Sequence, residues 1–256
     1  MPWRRRISGR MASVICAGDY QAAPGTAAAD WIPDGLHEPG ESVLSVVPAG
    51  FGAYARIFHP ASRDDQSGPV RWRDVAAANG RVAHPAMQWP SITGLHPFGE
   101  EDGQPGLWDC EPAEGSLPAG TAAALAAVLA GHTAAAGQCW FAVWDGYGTL
   151  ALRGPEPPAF TVPGRRLLLL TGPVSSVTAS LCAPPFQQSP NLWWPGDRAW
   201  CVGTDIDFMS SYIGGTRECV ADILRQPGLE ALAACPSDGV TWSSDPRNPV
   251  PARPPR

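Results

Sequence analysis

Proline and glycine interrupt this chain so often that many short elements fit it better than a few long helices. With 29 prolines and 28 glycines, their combined share is roughly twice the average usage. Many short elements joined by loops are therefore expected. The 256 residues are enough for one large domain or two small ones, and the hydrophobic fraction of 44% is ordinary for a chain with a packed core.

Between the breaks, the hydrophobic pattern places the elements. Residues 54–59 alternate, with Tyr54, Arg56 and Phe58 on one side and Ala55, Ile57 and His59 on the other, a strand that Pro60 ends. The stretch 70–80, "VRWRDVAAANG", can begin a short helix that stops at Asn79-Gly80, and a second places Leu125, Val128 and Leu129 on one face and ends near Gly131. Two further strands are apolar on both faces: one around 139–144, with Trp140, Ala142 and Trp144 opposite Cys139, Phe141 and Val143, and one around Leu167–Leu170. Residues 90–115 read as loop, and a last helix runs from Thr216 to Pro227-Gly228. This mixed order predicts an α+β fold with a mainly antiparallel or mixed sheet, a few short helices and long Pro/Gly-rich loops. Residues 1–41 are expected to be a loosely ordered N-terminal arm, 42–250 a single α+β domain and 251–256 a disordered tail.

The chain holds 18 basic and 24 acidic residues, for a net charge of −6. Nucleic acid is thereby disfavoured as a partner, since phosphate binding needs a concentrated basic surface. The one basic cluster, Arg4 to Arg10, reads as a solvated tail, and Met11 offers an alternative start that would remove it. No lysine occurs, which excludes a Schiff base to pyridoxal phosphate, a P-loop, the kinase strand lysine and a Ser-x-x-Lys centre. The seven cysteines are widely spaced with no Cys-x-x-Cys, so a reducing cytoplasm is the expected compartment. No stretch is long and apolar enough for a secretory signal or a bilayer span, so no membrane is expected.

Chemistry-bearing patterns are few. Gly-x-Ser-x-Gly, His-Glu-x-x-His and an EF-hand loop are all missing. "GYGTLA" at 146–151 fits a dinucleotide fingerprint formally, but "LRGPEPP" blocks the helix that should follow. His59, His84 and His96 each precede a proline; His59 and His84 end apolar segments, and as a pair facing one cleft either would serve as a general base. Eleven tryptophans are core filling by default, but an exposed Trp193-Trp194 before Pro195-Gly196 would stack on a sugar, a base or a partner protein.

In "WCVGTDIDF", Trp200, Val202, Thr204, Ile206 and Phe208 alternate with Cys201, Gly203, Asp205 and Asp207, so one wet face of a strand explains the acids. The same Asp-x-Asp resembles the motif by which nucleotide-sugar glycosyltransferases hold a divalent ion, which would here be Mg²⁺ or Mn²⁺ on Asp205 and Asp207. The Gly214-Gly215 turn and Thr216 at the start of the last helix would leave free backbone N–H groups for an anion.

The strings "SPNLWWPGDRAWCVGTDIDFMSSYIGGT", "AYARIFHPA", "RWRDVAAANGRVAHPAMQW" and "CWFAVWDGYG" resemble a group of hypothetical proteins common in actinobacteria, over roughly 42–250. That resemblance implies a bacterial cytoplasmic origin and carries no activity, cofactor or functional residue with it. The leading expectation is a non-enzymatic, cytoplasmic binding or accessory protein that uses Trp- and Pro-rich loops for a protein or small-molecule partner. The alternative is a divalent-metal transferase or hydrolase.

Overall fold

The computed structural model describes residues 14–15, 19–65, 68–97 and 103–252. The Arg4–Arg10 cluster and the tail from 253 lie outside them. In chain order the strands are β1 (Val14–Ile15), β2 (Gln21–Ala22), β3 (Ala53–Phe58), β4 (Cys139–Trp144), β5 (Arg153–Gly154), β6 (Ala159–Val162), β7 (Arg165–Gly172), β8 (Leu192–Pro195), β9 (Cys201–Gly203), β10 (Ser210–Gly215) and β11 (Ala231–Ala234). The helices are α1 (Ile32–Gly35), α2 (Trp72–Ala78), α3 (Trp89–Thr93), α4 (Ala119–Leu129) and α5 (Arg217–Arg225). Among the described residues nine strands form one sheet in the order β11-β3-β10-β9-β8-β4-β7-β2, with β6 also pairing β7, and β1 pairs β5 apart from it. Each of these pairings is antiparallel. The fold is α+β, as the interrupted pattern implied.

The central strands bury both faces, and their side chains divide accordingly. Cys139, Phe141 and Val143 of β4 and Leu168 and Leu170 of β7 join one core cluster with Trp193 and Trp200. Ala142, Leu167 and Leu169 join a second with Trp194 and Tyr212. Helices α4 and α5 cover the first face. Buried Ala122, Leu125, Ala126 and Leu129 form the apolar stripe of α4, which passes into a 3-10 turn at Ala130–His132 instead of ending at Gly131. In α5 the Thr216 hydroxyl accepts from the Cys219 N–H at 3.1 Å, Glu218 stands in the first turn and Arg225 in the last. Burying Cys219, Val220 and Ile223 then fixes its face to the sheet.

The second face is covered by the N-terminal segment. Ala23, Ala29, Ile32, Val43, Val46 and Val47 pack there beside Tyr54 and Tyr212. From Tyr20 on, the stretch expected to be a loosely ordered arm to residue 41 instead contributes buried side chains. The physical reason lies in the sheet: strands apolar on both sides need two covers. Gly203 permits the close approach, because a Cβ there would stand 2.1 Å from the Val46 carbonyl oxygen.

A third cluster surrounds α2 and α3, with Phe58, Trp72, Trp89 and Trp108 at its centre. The stretch 90–115, expected as loop, starts with α3, which has Pro90 in its first turn and closes at Gly94 with φ +79°. Helix α2 is capped from a distance: the Glu230 carboxylate accepts from the backbone N–H groups of Trp72 and Arg73 at 2.7 and 2.8 Å. That cap holds Trp72 in place for the site below.

Candidate functional site

The Asp-x-Asp segment is a hairpin loop and not a strand. Strand β9 ends at Gly203 and β10 begins at Ser210. Between them the Asp205 side chain accepts from the Asp207 backbone N–H at 3.2 Å, and the Phe208 N–H donates to the Asp205 carbonyl. Such Asx turns compete with strand pairing, and here the local hydrogen bond overrides the alternation. Asp205 also forms a two-point ion pair with Arg165, at 2.5 and 3.1 Å, and Asp207 lies 3.9 Å from the same guanidinium. Loop 113–116 is fastened to the hairpin by the Gly115 N–H on the Phe208 carbonyl. Only glycine fits there, since Gly115 has φ +69° and its Cβ would stand 2.4 Å from the Ile206 oxygen.

These loops form one wall of a cleft of about 600 Å³. Its apolar walls include Trp72, Trp89, Trp242 and Phe208. Trp72 and Trp89 lie 5.1 Å apart, tilted, and donate their indole N–H groups to the His59 carbonyl and the Glu111 carboxylate. Trp242, 38% exposed, stands against the His96 ring at 5.2 Å. The acids gather on one side: Asp205, Asp207 and Glu114 all line the cleft. Partial burial, then the charges of Asp207 and Glu111, push the Glu114 carboxyl above its usual range.

Arg56 lines the same cleft and is only 2% exposed. Its guanidinium donates to the Ser210 hydroxyl at 2.9 Å, the Pro85 and Met87 carbonyls at 3.2 and 2.6 Å, and the Gln88 side-chain oxygen at 3.3 Å. It also faces the Phe58, Trp72 and Tyr212 rings at 4.7, 5.3 and 5.5 Å. No carboxylate pairs with it among the described residues. Burial drives its pKa below the ordinary arginine value, with Tyr212 and the carboxylates of Asp245 and Asp238 opposing.

The expected histidine pair does not share this cleft. Neither ring lines it, and both are buried in separate networks. His59 donates from Nδ1 to the Ala113 carbonyl at 2.6 Å, which leaves Nε2 to accept from the Ser211 hydroxyl at 2.9 Å. Thr204 completes the chain, 2.6 Å from Ser211. Burial takes the His59 pKa down to about 4, so the ring is neutral near pH 7. His84 bonds Asp245 at 2.9 Å, and Asp245 also accepts from the Gln88, Arg247 and Asn248 backbone.

Trp193 and Trp194 are both fully buried, on opposite faces of β8, and offer no stacking surface. The alternation that puts one ring into each core follows directly from the pleat. Gly214 and Gly215 are the last residues of β10 and not a turn; a Cβ on Gly214 would stand 2.3 Å from the Phe51 ring, so the absence of a side chain serves packing. The Thr216 hydroxyl is occupied by its own helix cap. Among the described residues no cluster of three or more His, Cys, Asp or Glu is close enough to hold a metal ion, and none of their helices is long and apolar enough to cross a membrane.

No protein-family model, curated protein or solved structure matches this chain. The site therefore rests on its own geometry. Its central residue, Arg56, escaped the sequence reading because it sits on an alternating strand face beside Tyr54 and Phe58. A charged residue in an otherwise apolar strand pattern was the available signal.

Proposed function

We propose that this protein binds a small organic ligand in the cleft between the β9–β10 hairpin and the α2–α3 region, without chemistry of its own. One observation supports the reading above the others. Trp72, Trp89 and Trp242, from three separated stretches of chain, converge with the buried Arg56 on a cleft of about 600 Å³, within the ~300–1,000 Å³ usual for ligand sites. A mostly apolar concavity with a few fixed polar groups is what such ligands use.

The alternative, a transferase or hydrolase with Mg²⁺ or Mn²⁺ on Asp205 and Asp207, draws less support. A metal ion would have to take Asp205 from Arg165, and neither His59 nor His84 reaches the cleft to act as base.

Thermal-shift screening of small aromatic and heterocyclic compounds tests the binding reading, with Trp242→Ala as control. A compound at ~100 times its Kd stabilises by about 2.7 kcal/mol, which for this chain length raises Tm by roughly 5–10 °C. The variant should bind the same compound at least about tenfold more weakly. Compounds that stabilise wild type and variant equally would place binding elsewhere.

A further inference from the structure

Arg56 asks for a counter-charge that the described protein does not supply. A buried cation is stable when paired or fully hydrogen-bonded. Arg56 has hydrogen bonds, but each acceptor is neutral: Ser210, Pro85, Met87 and Gln88. A guanidinium carries five N–H donors, and the second hydrogen on Nη2 has no acceptor among the described residues. Asp245, an acid in the surrounding network, acts at one remove, through the Gln88 backbone. Hydrogen bonds from Asn248, Arg247 and Gln88 overcome its burial and hold it ionised, yet it touches Arg56 nowhere.

The cleft is thus lined by a dehydrated positive charge, held by three rings and four acceptors, with Arg56, Gln88 and Ser210 buried in its wall at 2%, 5% and 1% exposure. Preorganised guanidinium groups in water-poor sites are the usual receptors of carboxylate and phosphate. The remaining charged groups of the lining decide between these two. Asp205 and Asp207 share the Arg165 cation, and Glu114 has no cation partner among the described residues, so the acids outnumber the base there. A phosphate monoester, near charge −2 at neutral pH, is repelled there more strongly than a monocarboxylate.

Resting on the ligand-binding reading above, we infer that the ligand is a monoanionic carboxylate with a flat apolar body: the carboxylate sits on Arg56, and the body lies against the exposed Trp242 and the lining edges of the buried Trp72 and Trp89.

Naphthaleneacetate, its neutral analogue naphthaleneacetamide, and naphthyl phosphate provide a matched set for calorimetric titration of the full chain. The acetate should bind at least about tenfold more tightly than either of the others. Gln88→Glu places a carboxylate of the protein against Arg56 with almost no change of shape, and circular dichroism checks that it folds. In that variant the acetate should lose its advantage over the amide. Equal affinity of acetate and amide for wild type would overturn the carboxylate assignment while leaving the cleft a ligand site. Tighter binding of the phosphate would overturn it in favour of a phosphorylated ligand. An undiminished acetate preference in Gln88→Glu would remove Arg56 as the receptor. Absence of binding by all three would also overturn the carboxylate assignment, and the broader screen would still judge the cleft.

Discussion

At the residue scale, burial decides the chemistry of the ionisable groups. His59 has an ordinary histidine value of 6.5 when exposed and about 4 in the fold. Between these values the unfolded chain takes up a proton that the native ring refuses, so stability contributed above pH 6.5 is lost as pH falls towards 4. The loss amounts to on the order of 3 kcal/mol. Chemical unfolding at a series of pH values should show this slope, and His59→Gln, which removes the titration, should flatten it. An unchanged slope in the variant would assign the pH dependence to other groups. The strand periodicity of 54–59 already placed the His59 ring on the Ala55–Ile57 side, but its partners Ser211, Thr204 and Ala113 come from distant segments. Nothing local to "FHP" predicts them. Trp193 and Trp194 carry the same lesson: proximity to Pro195-Gly196 suggested exposure, whereas their place on a central strand put one ring into each core.

At the element scale, the apolar strands were legible because they are apolar on both faces, as in "CWFAVW" and "RRLLLL". The β9–β10 hairpin was not, because residues 200–208 alternate correctly for a strand while the Asp205 side chain makes a turn. Its glycines were also misread as a turn, since the reason for Gly214 is the Phe51 ring above it. Gly203 gives the most direct test of this packing. Gly203→Ala drives a methyl group to 2.1 Å from the Val46 carbonyl oxygen, a backbone atom that cannot rotate away. Destabilisation of about 2–3 kcal/mol is expected, with faster amide exchange across 43–49 as that segment lifts from the sheet. A wild-type Tm and exchange pattern would show that the segment packs less closely than described.

At the scale of the whole molecule, the α+β class followed from interrupted, mixed periodicity, but the cleft did not. Its lining comes from the N-terminal segment, β3, α2, α3, Pro97, the 113–116 loop, β7, the β9–β10 hairpin and residues 240–242. Each piece alone looks like loop or core, and only the antiparallel order, which sets β3 beside β10, brings Arg56 to Ser210. The tryptophans therefore divide by place: Trp193, Trp194 and Trp200 fill the core away from the cleft, Trp72 and Trp89 are core rings whose buried edges back it, and Trp242, 38% exposed, stands open in its lining. Titrating ¹⁵N-labelled protein with the most strongly stabilising compound of the thermal screen, while following the indole N–H resonances, separates them. The indoles of Trp72, Trp89 and Trp242 should shift together, saturating at one Kd, while those of Trp193, Trp194 and Trp200 stay in place. Shifts confined to the core indoles, or no shift in the three cleft indoles at saturation, would contradict the cleft as the ligand site.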